Sequence, residues 1–334
     1  MYEDYVLMKE SMSIIFTPLA AESLGVRSMC TYVETPDVKV LVDPGVSLGS
    51  RFGLFPHPLE YREIMSCRER MGILASKSDV ITISHYHFDH ATPTYTDYVW
   101  NFSSFSIAKQ IYSGKTVLAK DIRSSINASQ RRRGWMLKKA IDGFTKDFKV
   151  ADNHEFSFGK TRLRFSKPVF HGEENTLLGW VLMLTIDYDG ERVMHASDVQ
   201  GPVMEETLDI ILAEHPRLVY LSGPPTYLMD YRIEESTVNK SVDNLTRLAE
   251  EIPTVILDHH LLRSEIWKNQ IKKVLETADA SGHKVLTAAE FLGKPNNFLE
   301  FTRKELYMNE KPSKAFMKWI CLSDLKKKEE PPPV

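Results

Sequence analysis

The stretch His85-Tyr86-His87-Phe88-Asp89-His90 sets three imidazoles and one carboxylate within six positions. It follows Val80-Ile81-Thr82-Ile83, a β-branched run that reads as a strand. Neutral imidazole is the commonest biological ligand for zinc, and two rings spaced two residues apart at the end of an extended segment can face one ion. Asp89 and His90 fall where they could serve a second ion. Among only 11 histidines in the chain, this spacing points to metal chemistry rather than to a polar surface loop.

Four other segments set an aspartate or histidine at or just beyond a strand-like run. They are Val40-Leu41-Val42-Asp43-Pro44-Gly45, Val169-Phe170-His171-Gly172, His195-Ala196-Ser197-Asp198 and Val255-Ile256-Leu257-Asp258-His259-His260. In this order, and with His-x-His-x-Asp-His between the first and second of them, the chain resembles the metallo-β-lactamase superfamily from about Ile14 to Leu292. The wording around Ser197-Asp198-Val199-Gln200-Gly201-Pro202 and Asp258-His259-His260-Leu261-Leu262-Arg263 is similar to an archaeal branch of predicted metal-dependent hydrolases. The resemblance implies a four-layer αββα sandwich of the α/β class. It also implies that His85, His87 and His171 hold one metal, and that Asp89, His90 and either His259 or His260 hold a second. Asp198 would bridge the two, and Asp43 would orient the metal-binding loop. Counting back from Arg263 favours His259, whereas distance beyond the strand end favours His260; the register stays open.

All these donors are nitrogen or oxygen, which suits two zinc ions and also admits manganese or iron. Such a pair lowers the pKa of bound water and stabilises charge on the attacked centre, so no covalent nucleophile is needed. Asp89 is then the expected general base, with Asp198 the other catalytic carboxylate. The expected activity is hydrolysis of an anionic phosphodiester, with nucleic acid among the candidate substrates. A lactonase or thioesterase is the alternative enzyme, because the same centre attacks carbonyl carbon. A metal-stabilised nucleic-acid-binding protein without turnover is the alternative of another class.

Composition allows a large soluble core: 334 residues, 43% hydrophobic and 26% charged. No apolar run approaches the roughly 20 residues of a membrane span. The acidic start Met1-Tyr2-Glu3-Asp4-Tyr5 does not read as a secretory signal, which with the widely spaced Cys30, Cys67 and Cys321 predicts a cytoplasmic protein whose cysteines pack rather than pair. A net charge of −3 makes no case for nucleic-acid binding by the whole molecule.

The elements that must position these residues are readable in part. Strands are predicted at 13–16, 30–34, 38–42 and 80–83, and a hairpin at 180–187 and 192–195 turns on Asp189-Gly190. A helix capped by Ser236 precedes a strand at 254–257, and a second helix precedes a strand at 284–286. One hydrolase domain, 1–325, is expected to carry a helical, basic insertion at about 92–150, followed by a disordered tail, 326–334. From Lys115 to Lys149 the insertion holds ten Lys or Arg against three Asp, and Arg131, Arg132 and Arg133 are its candidates to meet substrate phosphate beside the metals.

Overall fold

The computed structural model describes residues 13–229 and 233–334, so the acidic start lies outside the described residues. Six strands pair in chain order to make the first sheet: β1 (Ile15–Pro18), β2 (Thr31–Glu34), β3 (Lys39–Val42), β4 (Val80–Ile83), β5 (Thr116–Ala119) and β6 (Asp147–Val150). Pairing is antiparallel as far as β3 and parallel from β3 to β6. After β7 (Glu155–Phe158) and β8 (Thr161–Phe165) comes a separate small hairpin, β9 (Val169–Phe170) and β10 (Trp180–Val181). β11 (Leu184–Tyr188), β12 (Glu191–Ser197), β13 (Leu218–Ser222), β14 (Thr254–Asp258) and β15 (Lys284–Leu286) complete a second sheet ordered β15-β14-β13-β12-β11-β8-β7. It is antiparallel from β7 to β12 and parallel from β12 to β15.

Alternation along the strands sorts side chains into layers. Val40, Val42 and Val80 of the first sheet pack with Leu163, Leu184, Ile186, Val193 and Ile256 of the second. Their neighbours Leu41, Ile81 and Ile83 face outward onto Tyr61, Ile64 and Met71 of α1 (Pro58–Lys77) and Ile111 of α2 (Phe105–Tyr112). α3 (Ala128–Ile141) adds Leu137 and Ile141 to that outer layer. On the far side, Met194, Val219, Leu221 and Val255 meet Leu208 and Ile211 of α4 (Glu205–Ala213) and Leu245 and Leu248 of α5 (Glu235–Glu251). The result is the expected αββα sandwich. Strands covered on both faces are apolar along their length, which is why β4 reads as a continuous run.

Several expectations need correction. Segment 92–150 is not purely helical: α2 and α3 are the crossovers that parallel pairing of β4, β5 and β6 requires, and β5 and β6 extend the sheet. Tail residues are packed rather than loose: Asp324–Glu329 is helical, Tyr98 N donates to Lys328 O, and Val334 lies against the α1 core. The 20-residue α1 occupies what reads as a polar stretch before β4. Glu234, not Ser236, stands at the N-cap of α5, without a side-chain cap. Cys30 and Cys67 are buried as expected, whereas Cys321 is exposed. Among the described residues, no helix is long and apolar enough to cross a membrane.

Candidate metal centre

The carboxyl ends of β3, β4, β12 and β14 open on one side of the sandwich, and each delivers a motif there. The loop after β3 lies directly on the loop after β4. A Cβ on Gly45 would stand 2.3 Å from the His90 and Ala91 nitrogens, so only glycine permits this approach. Asp43, Ser197, Gln200 and His259 all take positive φ, at 47, 50, 56 and 62°. Left-handed backbone in non-glycine residues costs about 1–3 kcal/mol each, and its concentration at these strand ends marks a site held against local preference.

Asp43 is the hub that orients the loops. Its Oδ1 accepts from Ser84 N (2.7 Å), and its Oδ2 accepts from Ser84 Oγ (2.5 Å), Ser197 Oγ (3.1 Å) and His90 Nδ1 (3.0 Å). Because Ser84 Oγ donates to Asp43, it accepts from His85 Nδ1 at 2.9 Å. Two imidazoles are thereby fixed with Nδ1 protonated and Nε2 free to bind a cation. A third, His171, accepts at Nδ1 from the Gln200 amide nitrogen (3.3 Å), which sets the ring with Nε2 toward Asp198. Gly172 makes room for this contact, since a Cβ there would lie 2.4 Å from Gln200 Oε1.

The ring nitrogens converge on Asp198. Its Oδ2 is 3.6 Å from His85 Nε2, 3.0 Å from His90 Nε2 and 3.1 Å from His171 Nε2. Its Oδ1 is 3.5 Å from His259 Nε2 and 3.7 Å from His260 Nε2. His87 turns Nδ1 toward His85 Nε2 at 3.1 Å, and His259 Nε2 is also 3.5 Å from Asp89 Oδ2. Donor atoms of His85, His87, His171 and Asp198 form one group within 4.8 Å, those of Asp89, His90 and His259 a second, and those of Asp198, His259 and His260 a third. The sequence left His259 and His260 open; the fold sets the fully buried His259 with Asp89 and His90, and turns the less buried His260 toward Asp198.

Among the described residues, His90 Nε2, Asp198 Oδ1 and His260 Nε2 are buried without a hydrogen-bond partner. Unpaired buried polar atoms are costly, so their concentration here fits a group with affinity for N and O donors, namely a divalent metal. Protonation points the same way for two of the rings, whereas, against burial, the carboxylates of Asp198 and Asp43 raise His90 well above the ordinary histidine range. Burial, reinforced by neighbouring imidazoles, pushes His85 well below the ordinary histidine range and His87 down to about 3, keeping both neutral. Burial works against ionisation of Asp198, yet the surrounding imidazoles hold its carboxyl well below the usual range.

Sequence reasoning missed the support behind His259. Arg263 bonds buried Glu22, donates to Tyr227 Oη (3.1 Å) and lies 3.5 Å from His259 Nε2, while Glu22 Oε1 is 3.7 Å from His259 Nδ1. Glu22 comes from the β1–β2 connection, and no local spacing links it to residue 259. The fold separates the three arginines expected at the substrate. Arg133 stacks over the Phe88 ring at 4.3 Å, beside the motif, but Arg131 and Arg132 are exposed and line a separate trough that none of the proposed ligands touches.

A layered αββα sandwich with a histidine–aspartate cluster at its strand ends is the arrangement that the resemblance to the metallo-β-lactamase superfamily leads one to expect. No protein-family model matches the chain. It is 45% identical over 290 residues to the UPF0282 protein MK0213 of Methanopyrus kandleri, covering 86% of this chain and 97% of that protein. The chain therefore belongs to the UPF0282 family, whose matched members are archaeal. Among solved structures it is similar to unliganded yeast PDE1, with a TM-score of 0.49 and 12% identity over 82% of this chain and 97% of that one. It is also similar to Tm1679, described as a metal-dependent hydrolase of the β-lactamase superfamily, with a TM-score of 0.44 and 14% identity over 81% and 94%.

Proposed function

We propose that this protein hydrolyses phosphodiesters using two divalent metals, zinc by donor chemistry, at the Asp198 centre. The observation that carries the reading is the pair of donor groups meeting at one carboxylate, with buried nitrogen and oxygen atoms left unpartnered. His85, His87 and His171 would hold one ion and Asp89, His90 and His259 the other, with Asp198 shared. Bound metals supply Lewis acidity and a water made acidic near neutral pH. Asp89 is only partly covered, at 18% exposed, so it can meet solvent and take the proton that water loses. Asp43 and Gln200 keep the histidine nitrogens aimed inward.

Charge favours a phosphodiester over a neutral ester. Arg133 stacks over the Phe88 ring within the histidine motif, and a guanidinium fork matches phosphate oxygens. The test is a hydrolysis screen of metal-loaded protein on bis(p-nitrophenyl) phosphate, RNA, lactones and thioesters, with a chelator-treated control. Metal-dependent phosphodiester cleavage is expected. Cleavage confined to lactones or thioesters would overturn the substrate class, and no cleavage of any of them would overturn the enzyme reading.

A further inference from the structure

The basic charge of α3 gathers on one open face. Arg123, Arg131, Arg132, Lys138 and Lys139 line a trough of about 740 Å³ with Trp135, and Asp142 is the one acid lining it. Residues 131, 132, 135, 138, 139 and 142 recur at the spacing of a single helix face, opposite the buried Gln130, Gly134, Leu137 and Ile141. Nearby ion pairs are made by Lys120 with Asp152 and by Lys149 with Asp147, so among the described residues the trough's cations have no acidic partner. Trp135 is 54% exposed, with Lys139 Nζ 5.1 Å over its ring. A solvated helix face has no need of a half-exposed indole framed by free cations, whereas a sugar–phosphate strand with unpaired bases matches both.

The trough is rigidly joined to the metal centre. Gln130 Nε2 donates to Leu178 O (2.6 Å) and Asn127 Nδ2 to Leu177 O (2.9 Å), in the loop that follows His171. Tyr86, between two motif histidines, donates its N–H to Gln130 Oε1 (3.2 Å). Gly134 lets the helix sit on the same tyrosine, since a Cβ there would be 2.7 Å from Tyr86 Cε2. Arg133, next in the chain to Arg132, reaches Phe88 of the motif itself.

We propose that this trough binds single-stranded nucleic acid, with phosphates on Arg123, Arg131, Arg132, Lys138 and Lys139 and a base stacked on Trp135. The strand then runs past Arg133 and Phe88 to the metal centre. Only this delivery step rests on the hydrolase reading; binding stands apart from it. Duplex is disfavoured, because its bases are already stacked on one another and offer the indole no free face.

The experiment is fluorescence anisotropy of the full-length protein with labelled oligouridylate and oligothymidylate 12-mers and a duplex of equal length, across a salt series. Each neutralised phosphate contributes about 0.7 to the log–log salt slope for single strands, so contact with all five cations predicts a slope of about −3.5. Replacing Arg131, Arg132 and Lys139 together by alanine should reduce that slope by about 2. Trp135→Ala should weaken binding roughly five- to hundredfold, the measured range for losing one stacked base. These four side chains are exposed, so loss of binding with an unchanged circular dichroism spectrum reads contact rather than unfolding. Undetectable binding at low salt, preference for duplex, or equal affinity in both variants would overturn the proposal. Cleavage of bis(p-nitrophenyl) phosphate by the unmodified protein reports on the hydrolase reading alone. Cleavage without oligonucleotide binding sinks the trough and spares the enzyme; binding without cleavage of any phosphodiester supports the trough and removes the delivery step.

Discussion

Among the described residues, the Asp198 centre holds buried polar atoms without hydrogen-bond partners and the α3 trough holds cations without acidic partners, for opposite reasons. At the centre the unpaired atoms are buried, belong to both acids and bases, and stand on backbone bent into the left-handed region at Asp43, Ser197, Gln200 and His259. In the trough the unpaired groups are cations on a regular, N-capped helix, exposed to solvent. Leaving atoms unpaired in the interior costs stability unless a ligand completes them, whereas exposed cations are satisfied by water and cost little. The first region thus suits small ions held in a fixed geometry; the second suits a partner that arrives by charge and can slide.

The contrast is easiest to break at Asp198, which faces all five neighbouring histidines. Asp198→Ala should remove most bound metal and all measurable hydrolysis, by elemental analysis and a phosphodiester assay; His87→Ala and His171→Ala should lower metal content as well. Wild-type metal content in all three would mean that the ligands lie elsewhere. Next in size is Asp89→Asn, which cannot accept a proton near neutral pH and should cost about two to four orders of magnitude in kcat when metal is saturating. Near-normal turnover would take the proton-accepting role away from it.

Support residues should have smaller effects. Asp43→Asn and Gln200→Ala remove hydrogen bonds that aim His90 and His171, and should weaken metal affinity about 10- to 100-fold, as loss of such partners commonly does. A chelator competition assay would show it. Of the double histidine, His259→Ala should lower metal occupancy more than His260→Ala; the reverse order would put His260 in the second donor group. Free metal at about 100 times its dissociation constant should then add about 2.7 kcal/mol to unfolding stability. The smallest effect belongs to the trough: Arg131→Ala with Arg132→Ala should change stability by no more than about 0.5 kcal/mol per site and leave metal content alone. A large loss of either would show that the two regions are not separate.

Much of this was visible before the fold. Metal ligation by neighbouring residues demands fixed local spacing, so the proposed donors His85, His87, Asp89 and His90 stand out within six positions. β4 and β14 are equally plain, because burial on both faces leaves only apolar and β-branched choices. α1 was hidden by its own buried polar residues. Its inner face carries Glu60 and Arg68 beside Tyr61, Ile64 and Met71, which blurs the helical stripe. Glu60 is neutralised by Arg303, bonded twice at 2.7 Å from 243 positions away, and Arg68 donates to the Asn101 carbonyl and Thr92 Oγ1. Pro58 at the first turn, with Glu60 accepting from His57 N (2.8 Å), was the available signal.

By itself the sequence determined the donor chemistry, the order of the motifs and the strands that carry them, because each depends on residue type within a few positions. Tertiary structure decided which distant atoms share a point. It seated His259 rather than His260 beside Asp89 and His90, with Glu22 at its Nδ1 and Arg263 at its Nε2. It also divided the three consecutive arginines, sending Arg133 to Phe88 and leaving Arg131 and Arg132 on the open trough. The physical reason is that a helix turns successive side chains about 100° apart, so adjacent residues in the chain face different surroundings, and only packing against the rest of the fold supplies those surroundings.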